Sequence, residues 1–209
     1  FIANPNNPTG TYLETEKIKG FLARVPANII VVLDEAYCEY IDQSDYPDGI
    51  SLLQDYPNLI VTRTFSKAWG LASLRVGYAV SNLDVANILN RVRQPFNVNS
   101  FAMAAASAVL SDKEYLEKGR LLNKEGLEQI SNGLTKLGLS FIPSVGNFIC
   151  FDVNTEGGKV YQALLEKGVI VRPLANYGMP HHLRVSIGLK SENQRFLDAL
   201  ASVLCVGAS

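Results

Sequence analysis

Histidine, cysteine, methionine and tryptophan are all scarce in this 209-residue sequence, at 2, 3, 2 and 1 residues. The two histidines, His181 and His182, adjoin. Neighbours on a strand point to opposite faces, so they make a poor chelating pair, and a metal enzyme is not expected. Cys38, Cys150 and Cys205 are odd in number and widely spaced. That argues against a disulfide framework or a CxxC metal site, and for reduced thiols in a cytoplasmic setting. No apolar run approaches the roughly 18–20 residues of a membrane span, so no membrane partner is expected. The formal net charge is −1, and no basic stripe is present. Nucleic acid is therefore not an expected partner either.

What is present is the composition of a globular chain, 47% apolar and 19% charged. The sequence opens at Phe1 on an apolar triplet and a turn, Phe1-Ile2-Ala3-Asn4-Pro5. The expectation is that an N-terminal part of the protein is absent from this chain.

Periodicity supplies the organisation. Asn4 to Gly10 is a turn by composition. Ile18, Phe21, Leu22 and Val25 fall on one face of a helix over Glu14–Val25. Ile29 to Leu33 is a continuous β-branched and leucine run, expected to be a strand buried on both faces. It leads into Asp34-Glu35-Ala36-Tyr37. A second strand is expected over Leu59–Thr64 and a third over Val76–Val80. Helices follow at Leu83–Val92, Phe101–Leu110 and about 113–137, the last with a bend at Gly126. From Ser140 short strands alternate with helices near Lys159–Lys167 and Glu192–Leu204, and Ser191-x-x-Gln194 has the form of a capping box. The expected fold class is α/β: residues 1–112 part of a larger domain with a mainly parallel sheet, residues 113–209 a small α+β domain, and the helix at 113–137 the link.

The chemistry concentrates between the second and third strands. Lys67 stands there with hydroxyls one and three residues before it, Ser66 and Thr64, and Arg75 eight residues after it. A lysine whose ammonium is partly desolvated can condense with an aldehyde. Hydroxyls and a guanidinium fork suit a phosphate. One ligand carrying both groups is pyridoxal 5'-phosphate (PLP). Asp34 and Lys67 both fall just past strand C-termini, where α/β sheets place their sites. The bland alternative is a solvated lysine in an ordinary turn, an aspartate that caps a helix and a tyrosine that fills a core.

Four motifs then stand in one order: Asn7-Pro8-Thr9-Gly10, Asp34-Glu35-Ala36-Tyr37, Ser66-Lys67 with Arg75, and Leu183-Arg184-Val185-Ser186-Ile187-Gly188. As a set they resemble the fold type I PLP-dependent aminotransferases over nearly the whole chain. Within that family the pattern is most similar to the branch acting on histidinol phosphate, on Asn-Asn-Pro-Thr-Gly, Thr-Phe-Ser-Lys-Ala and Arg172-Pro173-Leu174. The resemblance implies that Lys67 links to the cofactor and moves the proton. It implies that Asp34 faces the pyridine nitrogen, that Tyr37 and Asn7 bond the phenolic oxygen, and that Thr64, Ser66 and Arg75 hold the phosphate. Arg184 is implied as the substrate carboxylate site, with Asn147 near it and Arg172 on a substrate phosphate. Glu35 is expected to be structural or solvent-facing. Amino donors and keto acids are the implied small-molecule partners, and a homodimer the implied assembly. The sequence departs from the family pattern at Trp69, where Phe or Tyr is usual, and at Ser73, where Gly is common. Both bear on specificity rather than reaction type. An aromatic amino-acid aminotransferase, a decarboxylase of a phosphorylated amino acid, and an inactive, cofactor-free fragment are the alternatives.

Overall fold

The first long strand starts later than its β-branched residues suggest. In the computed structural model, which describes residues 1–206, strand β1 is Ile2–Ala3 and β2 is Val31–Asp34. Ile29 and Ile30 precede β2 and are each 49% exposed. The ladder opens only where the Val31 N–H reaches the Asn58 carbonyl, and Ile29 is spent on a turn back to Pro26. Within β2 Val31 and Leu33 are buried, Val32 is half-buried and Asp34 is exposed. The strand therefore buries one face fully and the other only in part, not both as expected. Helix α1 (Thr15–Leu22) and the short α2 (Gly49–Leu52) cover that face. Ile18, Leu22, Val31, Leu33, Leu52, Leu59 and Val61 form one cluster. Each such side chain contributes about 1.5–3 kcal/mol by leaving water.

Strand β3 is Leu59–Thr64 and β4 is Gly77–Ser81. The sheet order is β1-β2-β3-β4. β1/β2 and β2/β3 are parallel, and β3/β4 is antiparallel. Helices α3 (Leu83–Val92) and α4 (Ser100–Val109) follow. Asn82 caps the first through Val85 N–H, and Asn99 caps the second through Ala102 N–H. Asparagine is favoured there because its oxygen satisfies an otherwise orphaned amide.

Helix α5 is Lys113–Lys136, followed by β5 (Phe141–Ile142), β6 (Phe148–Asp152), α6 (Gly157–Glu166), β7 (Arg172–Pro173), β8 (His182–Ser186) and α7 (Lys190–Val206). These four strands form an antiparallel sheet in the order β5-β6-β8-β7. Ile130, Leu134, Ile149, Phe151, Leu164, Leu183 and Leu200 sit at the centre of its core. Two compact units result. One is Phe1–Asn6 with Tyr12–Gly119, and the other is Asn7–Thr11 with Arg120 onward.

α5 is the single long helix expected, continuous through Gly126. A Cβ at Gly126 lies 2.3 Å from Ile187 Cγ2 and 2.9 Å from Asn193 Nδ2, so the glycine serves close packing. The start of α7 is held by Glu192, whose carboxylate accepts from the Leu189 N–H at 2.7 Å. Gln194 instead reaches forward to Asp198. Glu outcompetes the Ser-x-x-Gln pair because its charged oxygen is the stronger acceptor at a helix N-terminus.

Gly126→Ala is expected to destabilise the protein by about 1–3 kcal/mol, because overpacking outweighs the helix propensity gained. Gly119→Ala, on the same helix with nothing within 4 Å of the added Cβ, is expected to stabilise slightly. Thermal unfolding of the pair measures the contrast, and equal shifts would contradict it.

Among the described residues no helix is long and apolar enough to cross a membrane. No group of three or more His, Cys, Asp or Glu there could hold a metal ion. Cys38 and Cys150 are free, and the side chain of Cys205 lies outside the described residues.

Candidate active site

The turn carrying Lys67 is built on buried anchors. Phe65, Ala68 and Trp69 are buried on either side of it. Phe65, Trp69 and Val76 pack with Ala102 and Ala106 of α4. The Phe65 N–H donates to the Val76 carbonyl, and Leu71 N–H closes the loop on the Phe65 carbonyl at 2.9 Å. Gly70 follows with φ +73, and a Cβ there falls 2.3 Å from the Tyr115 hydroxyl, so this corner needs glycine on both counts. Lys67 itself is half-buried, and its Nζ lies 5.5 Å from the centre of the Tyr37 ring.

Around it lies a set of polar groups. The Ser66 N–H donates to Thr64 Oγ1 at 3.1 Å. Arg75 Nη1 donates to Ser66 Oγ at 3.2 Å and to the Ala72 carbonyl at 2.7 Å. Arg75 takes φ 55, which a bulky residue adopts only when its surroundings demand it. The left-handed turn brings the guanidinium back over Ser66. Asp34 ends β2, exposed, and its carboxylate makes no hydrogen bond or ion pair among the described residues. Tyr37 is buried three residues on.

Glu35, expected to be structural or solvent-facing, is fully buried. Arg63 Nε and Nη2 donate to its Oε2 at 2.9 and 2.7 Å, and the Gly49 N–H donates to Oε1 at 2.9 Å. Arg63 also reaches Asp48 at 2.9 Å. Burial pushes the Glu35 carboxyl above the usual carboxylate range, while Arg63 and then the Gly49 N–H pull it back. The pair joins the residue after Asp34 to the residue before Thr64, so it ties the ends of β2 and β3 together. Sequence reasoning missed it. The available signal was one charge of each sign at the ends of two consecutive apolar strands.

The second unit holds the other predicted residues. Arg184 on β8 donates from Nη1 to Asn7 Oδ1 at 2.6 Å, and its guanidinium lies 5.0 Å from the centre of the Phe148 ring. Its Nε is buried without a hydrogen-bond partner. A half-buried guanidinium with an unmet buried donor can pair with an oxyanion. Arg172 is directly opposite Arg184 in the β7/β8 register, so both stand on one face of the sheet. Arg172 is exposed and donates to the Tyr177 hydroxyl at 3.3 Å. Asn147 is half-buried, and its carbonyl accepts from the Ile187 N–H. Asn123 steadies the preceding residue by donating to the Gly146 carbonyl. Cys150, opposite Arg184 on β6, has its thiol pushed up to about 11 by burial, with Arg184 pulling the other way. It is an inert core thiol.

The structure thus brings Asp34, Tyr37, Thr64, Ser66, Lys67 and Arg75 into one unit, and Asn7, Asn147, Arg172 and Arg184 into the other. The first set offers an amine beside an aromatic ring and a hydroxyl–guanidinium cluster within a few residues of it. That donor set fits a ligand bearing an aldehyde and a phosphate.

A family model described as aminotransferase class I and II matches residues 1–200. The chain is 61% identical over 207 residues to a protein of Pseudomonas fluorescens (strain Pf0-1) named histidinol-phosphate aminotransferase 2, covering 99% of this chain and 56% of that one. It is 52% identical over 204 residues to histidinol-phosphate aminotransferase 1 of Nitrosococcus oceani, covering 98% and 55%. The chain therefore spans about half the length of the curated relatives it matches. Among solved structures, histidinol-phosphate aminotransferase from Sinorhizobium meliloti in complex with pyridoxal-5'-phosphate is similar with a TM-score of 0.90 at 32% identity, covering 98% of this chain and 57% of that one. L-threonine-O-3-phosphate decarboxylase from Porphyromonas gingivalis, with a TM-score of 0.83 at 24% identity over 97% of this chain and 63% of that one, shares the fold.

Proposed function

The chain belongs to the class I and II aminotransferase family, and from that premise we propose that the protein is a PLP-dependent histidinol-phosphate aminotransferase. Its reaction converts imidazole acetol phosphate and glutamate to histidinol phosphate and 2-oxoglutarate. The observation that carries the proposal is the Lys67 turn: an amine on a buried, hydrogen-bonded corner, 5.5 Å from the Tyr37 ring, with Arg75 and Ser66 paired beside it. The 61% identity to proteins named for this activity supports the substrate.

When bound, PLP supplies an aldehyde that links to amines and a ring that accepts the electron pair left when a Cα proton departs. The rest falls to the protein. Lys67 would supply the amine that links to PLP and, when free, the base that takes the substrate's Cα proton. Asp34, at the end of β2, would be the carboxylate for the ring nitrogen and favour its protonated form. Tyr37 and Asn7 would be donors for the phenolic oxygen, and Asn7 Oδ1 accepts from Arg184 Nη1. Thr64, Ser66 and Arg75 would hold the phosphate. Arg184 pairs with the substrate α-carboxylate, with Asn147 beside it, and Arg172 takes the substrate phosphate. The first unit, Phe1–Asn6 with Tyr12–Gly119, would belong to the large cofactor-binding domain and the second to the small one, a boundary several residues later than the expected 112/113, with Asn7–Thr11 on the far side of it. The enzyme acts as a homodimer in the cytoplasm. Exposed Leu83, Ile88, Val92 and Phe101 on α3 and α4 support a covered surface there.

Steady-state kinetics of the full-length protein test the substrate. With 2-oxoglutarate as acceptor, kcat/KM for histidinol phosphate is expected to exceed that for phenylalanine or tyrosine by about ten- to a hundredfold, the worth of one charge-assisted phosphate contact. Preference for the aromatic amino acids, or release of CO2 in place of amino transfer, would overturn the assignment.

A further inference from the structure

Trp69 is the chain's single tryptophan. Its ring packs in the buried cluster with Phe65 and Val76, tilted against Phe65 at 6.2 Å between centres. Packing alone accounts for an aromatic there. It does not account for the indole N–H, which donates to Glu39 Oε1 at 3.0 Å. Glu39 sits in the single 3-10 turn Cys38–Tyr40 that follows Tyr37. The other carboxylate oxygen, Glu39 Oε2, is buried and has no hydrogen-bond partner. The indole N–H is thus a hydrogen-bond donor to a carboxylate whose second oxygen is unmet. The bond runs from two residues past Lys67 to two residues past Tyr37. It bridges the turns that present the amine and the ring 5.5 Å apart.

We infer that Trp69 is a positioning residue for Lys67, acting through its hydrogen bond to Glu39, which fixes the distance between the Lys67 and Tyr37 turns. The inference rests on the PLP reading above. A phenylalanine at 69 keeps an aromatic ring in the cluster and gives up the N–H. Free movement of the two turns would let the amine wander from its reacting atom, and a misplacement of about 1 Å costs up to roughly a hundredfold in rate.

The test uses the full-length holoenzyme and three forms: wild type, Trp69→Phe and Glu39→Gln. Trp69→Phe keeps an aromatic ring in the cluster and removes the donor together with part of the indole's volume, a packing loss that the unfolding temperature reads separately. Glu39→Gln keeps an acceptor for the indole. The readouts are kcat and KM with histidinol phosphate, the visible circular dichroism of the bound cofactor, and the unfolding temperature of the cofactor-free protein. The expected result for Trp69→Phe is a roughly tenfold lower kcat with little change in KM, and a weaker cofactor dichroism band, because the ring is held less uniquely. Glu39→Gln is expected to retain most of the turnover and the wild-type band. Trp69→Phe with wild-type kcat and dichroism would overturn the inference while leaving the PLP reading intact. So would a loss in both variants that tracks unfolding temperature alone. A wild-type protein that takes up no cofactor would overturn the PLP reading, and the inference with it.

Discussion

Replacing Lys67 with alanine in the full-length protein is expected to lower amino transfer by at least about ten-thousandfold, while the fold survives. Two losses combine in that figure. The proposed covalent link to the cofactor would disappear, and so would the proposed proton carrier, which alone is worth roughly a hundred- to ten-thousandfold. The fold is expected to survive because the lysine's contact with the Tyr37 ring is a weak one. Lys67 is half-buried, and its ammonium makes no hydrogen bond or ion pair among the described residues. Phe65, Ala68 and Trp69 carry the packing of the turn. Unfolding of Lys67→Ala should therefore fall within about 0.5 kcal/mol of wild type. Turnover within tenfold of wild type would remove the lysine from the mechanism.

The second large effect belongs to Arg184. Arg184→Lys keeps a positive charge but loses the planar fork that pairs with a carboxylate. It also loses the stack on Phe148 and the 2.6 Å bond to Asn7. KM for glutamate is expected to rise about ten- to a hundredfold, the size of a charge-assisted hydrogen bond removed from a buried site. Cofactor uptake is expected to stay within a few-fold of wild type, since none of the phosphate-holding residues is touched. An unchanged KM would mean that the buried, unpartnered Nε of Arg184 serves something other than the substrate carboxylate. Equal losses in cofactor and substrate binding would point to a role for Asn7 in place of Arg184.

The parts of the fold legible in the sequence are those where one kind of residue decides the outcome. β3 and α3 follow directly from their apolar runs and caps, Leu59–Thr64 and Leu83–Val92. The candidate residues Asp34 and Lys67 stand out in the sequence because each falls at or just past the end of an apolar strand. Burial of β2 was overestimated on one face, where Val32 is only half-buried, because β-branched residues mark a strand without saying how fully each face is covered. The packing role of Gly126 was hidden for a related reason. Glycine breaks helices in isolation, but here a neighbouring side chain, Ile187, decides its identity. The Glu35–Arg63 pair and the Trp69–Glu39 bond were invisible for a third reason. Each joins residues 28 and 30 apart in sequence, and only the β2/β3 register and the packing of two turns bring them together.

Borohydride reduction of the full-length holoprotein, followed by proteolysis and mass spectrometry, tests the central claim most directly. Reduction makes the amine link permanent, so the cofactor's mass marks the residue that carried it. The mark is expected on the peptide containing Lys67 and to vanish in Lys67→Ala. A cofactor fixed to any other lysine, or to none, would contradict the account.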